Sequence, residues 1–457
     1  MRIITRLLLA AAASLSFSFA VLGQSKPPLM QDIVVARPTP PPSDPNMVRP
    51  TVSSGVVATS ATNAVRTMFP ALAEMTVPGY SGMLVETLEG NVVYESNSSA
   101  LFNPASNTKT ATAFAVFKSL GPEYRFATNV YTDGSIDRGT GTLNGNLYVS
   151  GKDPIFGFEH AVSIASELNR MGIYRIAGDL IVTDNFSLNF STSPVNSARG
   201  LLLAMDASQR SAAATRVWLN YLAYSGRSST TTGTPSVSVA GSSYVQGIPS
   251  TLQFLFTHES APLKDILKAM MCFSNNFLSE RLGDVIGGPY AVARFVQLNA
   301  NISPVELSLQ TASGLGYNRV SPNAMMKLLR AFRAELARYR MTFADVMPVA
   351  GLDRGTLEGR FNNDWVAGSV VGKTGTLGVT DSGVSALSGE INTKNGKLLF
   401  VIFNQRGGVQ RFRAFQNSFV VTVQSLFGGP ESLGYTPPSL DARLATSRIT
   451  YGRSAGY

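Results

Sequence analysis

Residues 103–109 read Asn103-Pro104-Ala105-Ser106-Asn107-Thr108-Lys109, and Thr110 to Phe117 continues as TATAFAVF. Pro104 disfavours helix at Asn103 and leads naturally into a helix start. The run that follows is apolar nearly all round, the pattern of a helix buried in a domain core. Ser106 then sits at the N-terminus of a central buried helix, and Lys109, three residues on, shares its face one turn in. A serine hydroxyl is a weak nucleophile until a base takes its proton. Lysine can be that base where burial, the positive end of a helix or a second cation lowers its pKa. The plain alternative is a surface Ser and Lys on an ordinary helix, because a four-residue pattern is common. Of the ten lysines, only Lys109 follows a serine by three positions.

On the N-terminal side, Gly82 to Leu88 and Val92 to Glu95, joined by Glu89-Gly90-Asn91, read as a β-hairpin that leads to Ser106. Ala58 to Met75 carries helical spacing. Gln24 to Ser54 is rich in proline and reads as an extended tether. Met1 to Gly23 carries Arg2 and Arg6 ahead of an apolar run from Leu7 to Val21, the pattern of a secretory signal peptide cut after Ala20 or Gly23. A retained anchor is the alternative, but the run is short for a full span. No other run is long enough to cross a bilayer, so no membrane span is expected after cleavage.

Towards the C-terminus the character changes. Tyr124 to Tyr131, Thr142 to Val149 and Tyr174 to Val182 are strand-like, Glu159 to Met171 is helical, and Ser225 to Gly247 is a polar tract with short strands. Residues 121–256 therefore read as an α/β module inserted into a discontinuous catalytic domain made of 57–120 and 257–427. Signal peptide 1–23 and linker 24–56 precede it. Helical pattern returns at Ala261 to Phe273, breaks at Ser274-Asn275-Asn276 and resumes at Phe277. Pro322 to Tyr339 is a further helix. Ser369 to Leu377, Gly383 to Ile391 and Lys397 to Asn404 are strands, the last two joined at Asn395-Gly396. Phe412 to Phe427 is an amphipathic helix, and 428–457 is expected to be irregular.

Composition narrows the chemistry. The 457 residues carry 44% hydrophobic and 15% charged residues, a globular balance. Cys272 is the only cysteine, so no intramolecular disulfide can form. His160 and His258 are the only histidines, which argues against a histidine-rich metal site; a Ser-His-Asp triad would need one of them. Without Arg2 and Arg6 the chain has 36 basic against 29 acidic residues. That mild excess reads first as a solvated, mildly basic surface and only weakly favours an anionic envelope polymer. No dense Lys/Arg tract argues for nucleic acid.

Two further stretches matter. Gly372-Lys373-Thr374-Gly375-Thr376-Leu377 lies on a strand pattern, where glycines let a substrate backbone approach, Lys373 offers charge and Thr374 and Thr376 offer hydroxyls for a carboxylate. An exposed strand with an ordinary lysine is the alternative. Ser274-Asn275-Asn276, at the helix break, offers a proton-relaying hydroxyl and an orienting amide, or else a simple polar cap.

Ser-x-x-Lys, then Ser-x-Asn, then Lys-Thr-Gly, in this order, resembles the signature set of serine penicillin-binding proteins and β-lactamases. More narrowly, the chain looks like the D-alanyl-D-alanine carboxypeptidase/endopeptidase family, the class C penicillin-binding proteins, which place extra domain material between the first two motifs. LNGNLYVSGKDP (143–154), AGDLIVT (177–183), SGLGYNRVSP (313–322), PVAGLDRGTL (348–357) and VSALSG (384–389) add to the resemblance, which covers about 60 to 427. Three departures stand out: Thr311-Ala312 where the family usually has Asp-Gly, the apparently extra Arg354, and a long loop at Gly378 to Ser382.

The resemblance implies an α+β fold, with an antiparallel sheet flanked by helices and a helical subdomain, the cleft between them. It implies Ser106 as nucleophile, Lys109 as base, Ser274 as proton shuttle and Asn276 as holder of the substrate amide. Lys373, Thr374, Gly375 and Thr376 would bind the terminal carboxylate, and the backbone N–H groups of Ser106 and Thr376 would form the oxyanion hole. The implied reaction cleaves D-Ala–D-Ala or D-Ala–diaminopimelate bonds in peptidoglycan stem peptides through an acyl-enzyme, in the periplasm or cell envelope. No metal or cofactor is called for, and β-lactams would inhibit. A β-lactamase or esterase on the same scaffold is the alternative within enzymes, although serine esterases and class C β-lactamases typically carry Tyr where Ser274 stands, and no segment resembles the deacylating glutamate motif of class A. A catalytically dead wall-binding protein is the alternative of another class.

Overall fold

The computed structural model describes residues 65–227, 233–437 and 439–452. The expected signal peptide and proline-rich linker lie outside them.

The element that organises the molecule is a six-stranded antiparallel sheet. Its strands are β1 (Val65–Thr67), β2 (Tyr80–Thr87), β3 (Val92–Ser96), β4 (Val370–Leu377), β5 (Val384–Thr393) and β6 (Gly396–Gln405), in spatial order β1-β3-β2-β6-β5-β4. The run Leu398 to Phe403 shows why the sheet is central. Side chains alternate across a strand. Leu399, Val401 and Phe403 enter one apolar cluster, while Leu398, Phe400 and Ile402 enter another, all at 2% exposure or less. Both faces are covered, so the strand reads as unbroken apolar sequence. On the first face lie helices α1 (Thr108–Leu120), α2 (Leu263–Phe273), α3 (Asn276–Ile286) and α4 (Pro322–Arg338). On the second lies α5 (Val409–Leu426), through Phe419, Val420 and Val423. The antiparallel sheet flanked by helices is the fold expected.

The hairpin β2–β3 and the Asn395-Gly396 turn are where the sequence placed them. The expected helix over 58–75 is not: from residue 65 the chain forms β1, paired with β3, and then only the short helix Pro70–Ala73. Pro70 disfavours helix in the residue before it, and β-branched Val65 and Thr67 suit an edge strand. Residues 58–64 lie outside the described residues.

A second six-stranded sheet runs in the order Ser243–Val245, Leu180–Val182, Leu147–Gly151, Ala127–Thr132, Gln253–Glu259, Arg448–Thr450, with its own apolar cluster around Val130, Val149, Ile164 and Phe256. The segments 142–149 and 174–182, expected as single strands, are each broken by a turn and their halves join different sheets. Helices Pro194–Met205 and Ala212–Ser225 went unread in the sequence. Both are capped by a serine, Ser193 and Ser211, whose side chain accepts from the backbone N–H three residues on. Among the described residues the tail is irregular only in part. It forms a short helix, Leu440–Leu444, and then Arg448–Thr450 pairs with Gln253–Glu259, satisfying a strand edge that would otherwise be open. The expected module boundary at 256 falls inside that same strand.

Candidate active site

Ser106 lies in the short turn Ala105–Asn107 that feeds α1, and Lys109 is the second residue of α1. The turn is held in a conformation it would not choose alone. Ala105 takes φ +47°, a left-handed geometry costly for a residue with a Cβ. Asn103 Oδ1 accepts from the Ala105 N–H at 3.0 Å, and Asn107 Oδ1 accepts from the Ser388 hydroxyl on β5. Two glycines make room. A Cβ on Gly375 would stand 2.6 Å from the Pro104 carbonyl oxygen, and one on Gly314 would stand 1.9 Å from that of Ala105. The glycine of Lys-Thr-Gly therefore admits the Ser106 turn against β4, a packing reason for glycine in addition to the substrate approach expected from the sequence.

The helix break works as three separate parts. Ser274 ends α2 in a left-handed conformation, φ +52°. Asn275 caps α3, its Oδ1 accepting from the Leu278 N–H at 3.0 Å. Asn276 is thereby free to face Lys109. The Lys109 ammonium nitrogen lies 3.0 Å from Ser106 Oγ, 2.7 Å from Asn276 Oδ1 and 2.6 Å from the Ser313 carbonyl oxygen. Lys373, on the edge strand β4, donates to Ser274 Oγ at 2.9 Å and to the Thr374 carbonyl at 2.8 Å. The structure thus brings Ser106 and Asn276 onto one buried amine, Lys109, and Ser274 onto a second, Lys373; Ser106, Ser274 and Asn276 line the same cleft.

Both lysines have 0% exposure. Burial first, and then the charge of Lys373, hold Lys109 well below the ordinary lysine pKa, with Glu280 opposing. Burial lowers Lys373 to about 7. Two ammonium groups cannot both be charged cheaply in one desolvated place, so the pair favours a neutral amine beside Ser106 at working pH.

The cleft in front has a volume of about 790 Å³, and Ser106, Ser274, Asn276, Thr374, Thr376 and Arg413 are among the residues that line it. Lys109, Lys373 and Gly375 lie behind that wall. Lys373 is therefore less a surface cation than a buried partner of Ser274. Arg413 on α5 reaches the cleft and donates to Thr376 Oγ1 at 3.0 Å. Sequence reading missed it, because it comes from a helix with no motif of its own. Arg354 is exposed and is not among the lining residues. The Thr311-Ala312 departure is accommodated. Thr311 Oγ1 donates to the Leu315 carbonyl at 2.8 Å and accepts from Gly314 N–H at 3.1 Å. Gly283 leaves space for the Ala312 methyl, since a Cβ there would lie 2.5 Å from it.

A family model described as the D-Ala-D-Ala carboxypeptidase 3 (S13) family matches residues 71–194 and 206–424. A D-alanyl-D-alanine carboxypeptidase of Actinomadura is 25% identical over 446 residues, covering 76% of this chain and 81% of the relative. Among solved structures, a penicillin G-acylated predatory endopeptidase of Bdellovibrio bacteriovorus, held with its immunity protein, aligns with TM-score 0.69 and 23% identity over 81% of this chain and 98% of that one. Penicillin binding protein 4 of Haemophilus influenzae aligns with TM-score 0.58 and 21% identity over 78% and 99%.

Proposed function

The chain belongs to the D-Ala-D-Ala carboxypeptidase 3 (S13) family, and on that premise we propose that Ser106 cleaves the bond after the penultimate D-alanine of peptidoglycan stem peptides through an acyl-enzyme. The observation that carries this is the 3.0 Å approach of a buried, pKa-depressed Lys109 amine to Ser106 Oγ.

Neutral Lys109 takes the Ser106 proton as Oγ attacks the carbonyl carbon. Negative charge gathers on the carbonyl oxygen, and the backbone N–H groups of Ser106 and Thr376 are assigned to receive it. β4 is the edge strand of its sheet, so part of its backbone is not engaged by a neighbouring strand on the cleft side. The tetrahedral intermediate collapses, the C–N bond breaks, and the leaving amine takes a proton through Ser274, whose Oγ is fixed by Lys373. Water then attacks the ester, with Lys109 again as base, and frees Ser106. Asn276 orients Lys109 and the substrate amide. Thr374, Thr376 and Arg413 present two hydroxyls and a guanidinium to the substrate carboxylate, with Lys373 supporting them from behind. A terminal D-alanine and a cross-linking diaminopimelate centre both carry that carboxylate next to the scissile amide, so one site serves both bonds. The expected place of action is the cell envelope. No helix among the described residues is long and apolar enough to cross a membrane.

The test is incubation with a stem pentapeptide ending in D-Ala-D-Ala and with a cross-linked dimer, followed by mass spectrometry of the products. Release of D-alanine or of the uncross-linked monomer, lost in Ser106→Ala, supports the assignment. Intact substrates after prolonged incubation with folded protein contradict it.

A further inference from the structure

The unusual loop at Gly378 to Ser382 holds one carboxylate with three attachments, all on elements that build the site. Asp381 takes a left-handed conformation, φ +51°, as does Ser382 at +59°. Its Oδ1 accepts from Arg319 Nη2 at 2.9 Å, and its Oδ2 accepts from Arg319 Nη1 at 3.1 Å and from Asn103 Nδ2 at 2.8 Å. The two-point arginine contact is the geometry in which a planar guanidinium binds a carboxylate most strongly. Arg319 and Asp381 are both partly shielded, with side-chain exposures of 32% and 18%, so screening by solvent is incomplete.

Asn103 is the hub of this contact. Its Nδ2 also donates to the Gly316 carbonyl at 2.9 Å, and its Oδ1 holds the Ala105 N–H at 3.0 Å. Ala105 is the left-handed residue directly before Ser106. Gly316 and Arg319 belong to the segment that also supplies the Ser313 carbonyl bonded to Lys109 and the Leu315 side chain in the cleft wall. The loop itself follows β4 directly. One carboxylate therefore ties together the nucleophile turn, the segment that helps to hold the base, and the end of the substrate-facing strand.

We propose that Asp381 is a positioning residue: it latches Asn103 and Arg319 so that Ser106 stays in register with Lys109 and with β4. This rests on Ser106 and Lys109 being the reacting pair. A strained Ala105 keeps its geometry only while its surroundings over-determine it. Removing its charged acceptor leaves Asn103 Nδ2 with the Gly316 carbonyl alone and loosens the side chain whose other atom holds Ala105. Near-attack geometry is sensitive to displacements of about 1 Å, which cost on the order of a hundredfold in rate.

The experiment measures penicillin acylation by stopped-flow, resolving the acylation rate constant from the initial binding constant, in Asp381→Ala, Asp381→Asn, Arg319→Gln and Arg319→Lys, alongside thermal melting. Asp381→Ala is expected to slow acylation by about tenfold to a hundredfold while initial binding changes by less than about threefold. Asp381→Asn, which keeps one acceptor oxygen, and Arg319→Lys are expected to fall between that variant and the parent. Asp381→Ala combined with Arg319→Gln is expected to lose no more than the worse single variant, because both break one unit. Acylation within about twofold of the parent in folded Asp381→Ala overturns the proposal. So does a double variant whose loss equals the product of the singles, or a loss confined to initial binding. If Asp381→Ala fails to fold, the Asp381→Asn and Arg319→Gln arms decide by the same criteria. If the parent protein itself takes no penicillin, the nucleophile assignment fails, and that outcome is separate from any difference among these variants.

Discussion

Two pairs of buried basic side chains, one in each of the larger sheets' surroundings, differ in what surrounds them. Lys109 and Lys373 sit behind the wall of a cleft, each bonded to a serine hydroxyl, Ser106 or Ser274, that lines it. His160 and His258 sit in the second sheet's core, their rings 4.7 Å apart and packed by Phe156. His160 Nδ1 accepts from the Gly157 N–H, and His258 Nε2 meets Ser447 Oγ at 3.2 Å. Burial lowers the pKa of all four. Neither histidine is among the residues lining the Ser106 cleft. A depressed pKa is thus a sign of a catalytic base only where a hydroxyl and an open path for substrate stand beside it, as both do at Lys109 and not at the histidines. The histidines, which a triad would have needed, serve packing instead.

The largest effect is expected at Ser106. Ser106→Ala is expected to lower turnover by at least about a thousandfold with folding intact, as read by product release and melting temperature. Lys109→Arg keeps a cation but cannot give up its proton at working pH. It is expected to lose more than about a hundredfold, the share a general base commonly contributes; substantial turnover at neutral pH would remove Lys109 from that role.

Lys373→Met is expected to cost on the order of tenfold to a hundredfold in kcat/KM and to move the acid limb of the rate profile to higher pH. Removing a nearby cation makes Lys109 easier to protonate, so base activity fails earlier as pH falls. A limb that stays in place separates the two amines. The stability profile carries the opposite-side signature. Lys373 has a folded pKa of about 7, below its unfolded value. Between about pH 7 and the unfolded lysine value of about 10.4 the unfolded chain therefore binds more protons, and stability should rise with pH in that window. Lys373→Met should flatten that rise in denaturant titrations.

The smallest catalytic effect belongs to the histidines. His160→Leu leaves the Gly157 N–H without its acceptor and is expected to cost about 1–3 kcal/mol of stability while kcat/KM stays within about twofold. Because both histidines have lowered folded pKa values, the unfolded chain takes up protons first as pH falls below about 6.5. The parent should lose stability in that window, and the variant less steeply. A collapse of kcat/KM in the folded variant would mean that the second sheet's core reaches the chemistry.

Much of this site was legible because its parts are local. Ser106 and Lys109 are fixed by one turn of helix, and Ser274 with Asn276 by one helix break. The β-hairpin and the paired strands β5 and β6 announced themselves through glycine turns and apolar runs. What stayed hidden depends on distant parts of the chain meeting. Arg413 reaches Thr376 from a helix 37 residues away, and no spacing rule foretells it. Gly375 looked like a place for substrate because its neighbour Pro104 lies far off in sequence. The tail strand Arg448–Thr450 was unreadable for the same reason: three residues become a strand only when an edge is waiting for them. The serine caps at Ser193 and Ser211 were readable and would have revealed two helices.

A peptide map of the protein after brief reaction with a penicillin tests the assignment of Ser106 most directly. One adduct is expected, on the peptide that contains Ser106, present in the parent and absent from folded Ser106→Ala. An adduct on any other side chain, or the same yield of adduct in Ser106→Ala, would contradict that assignment.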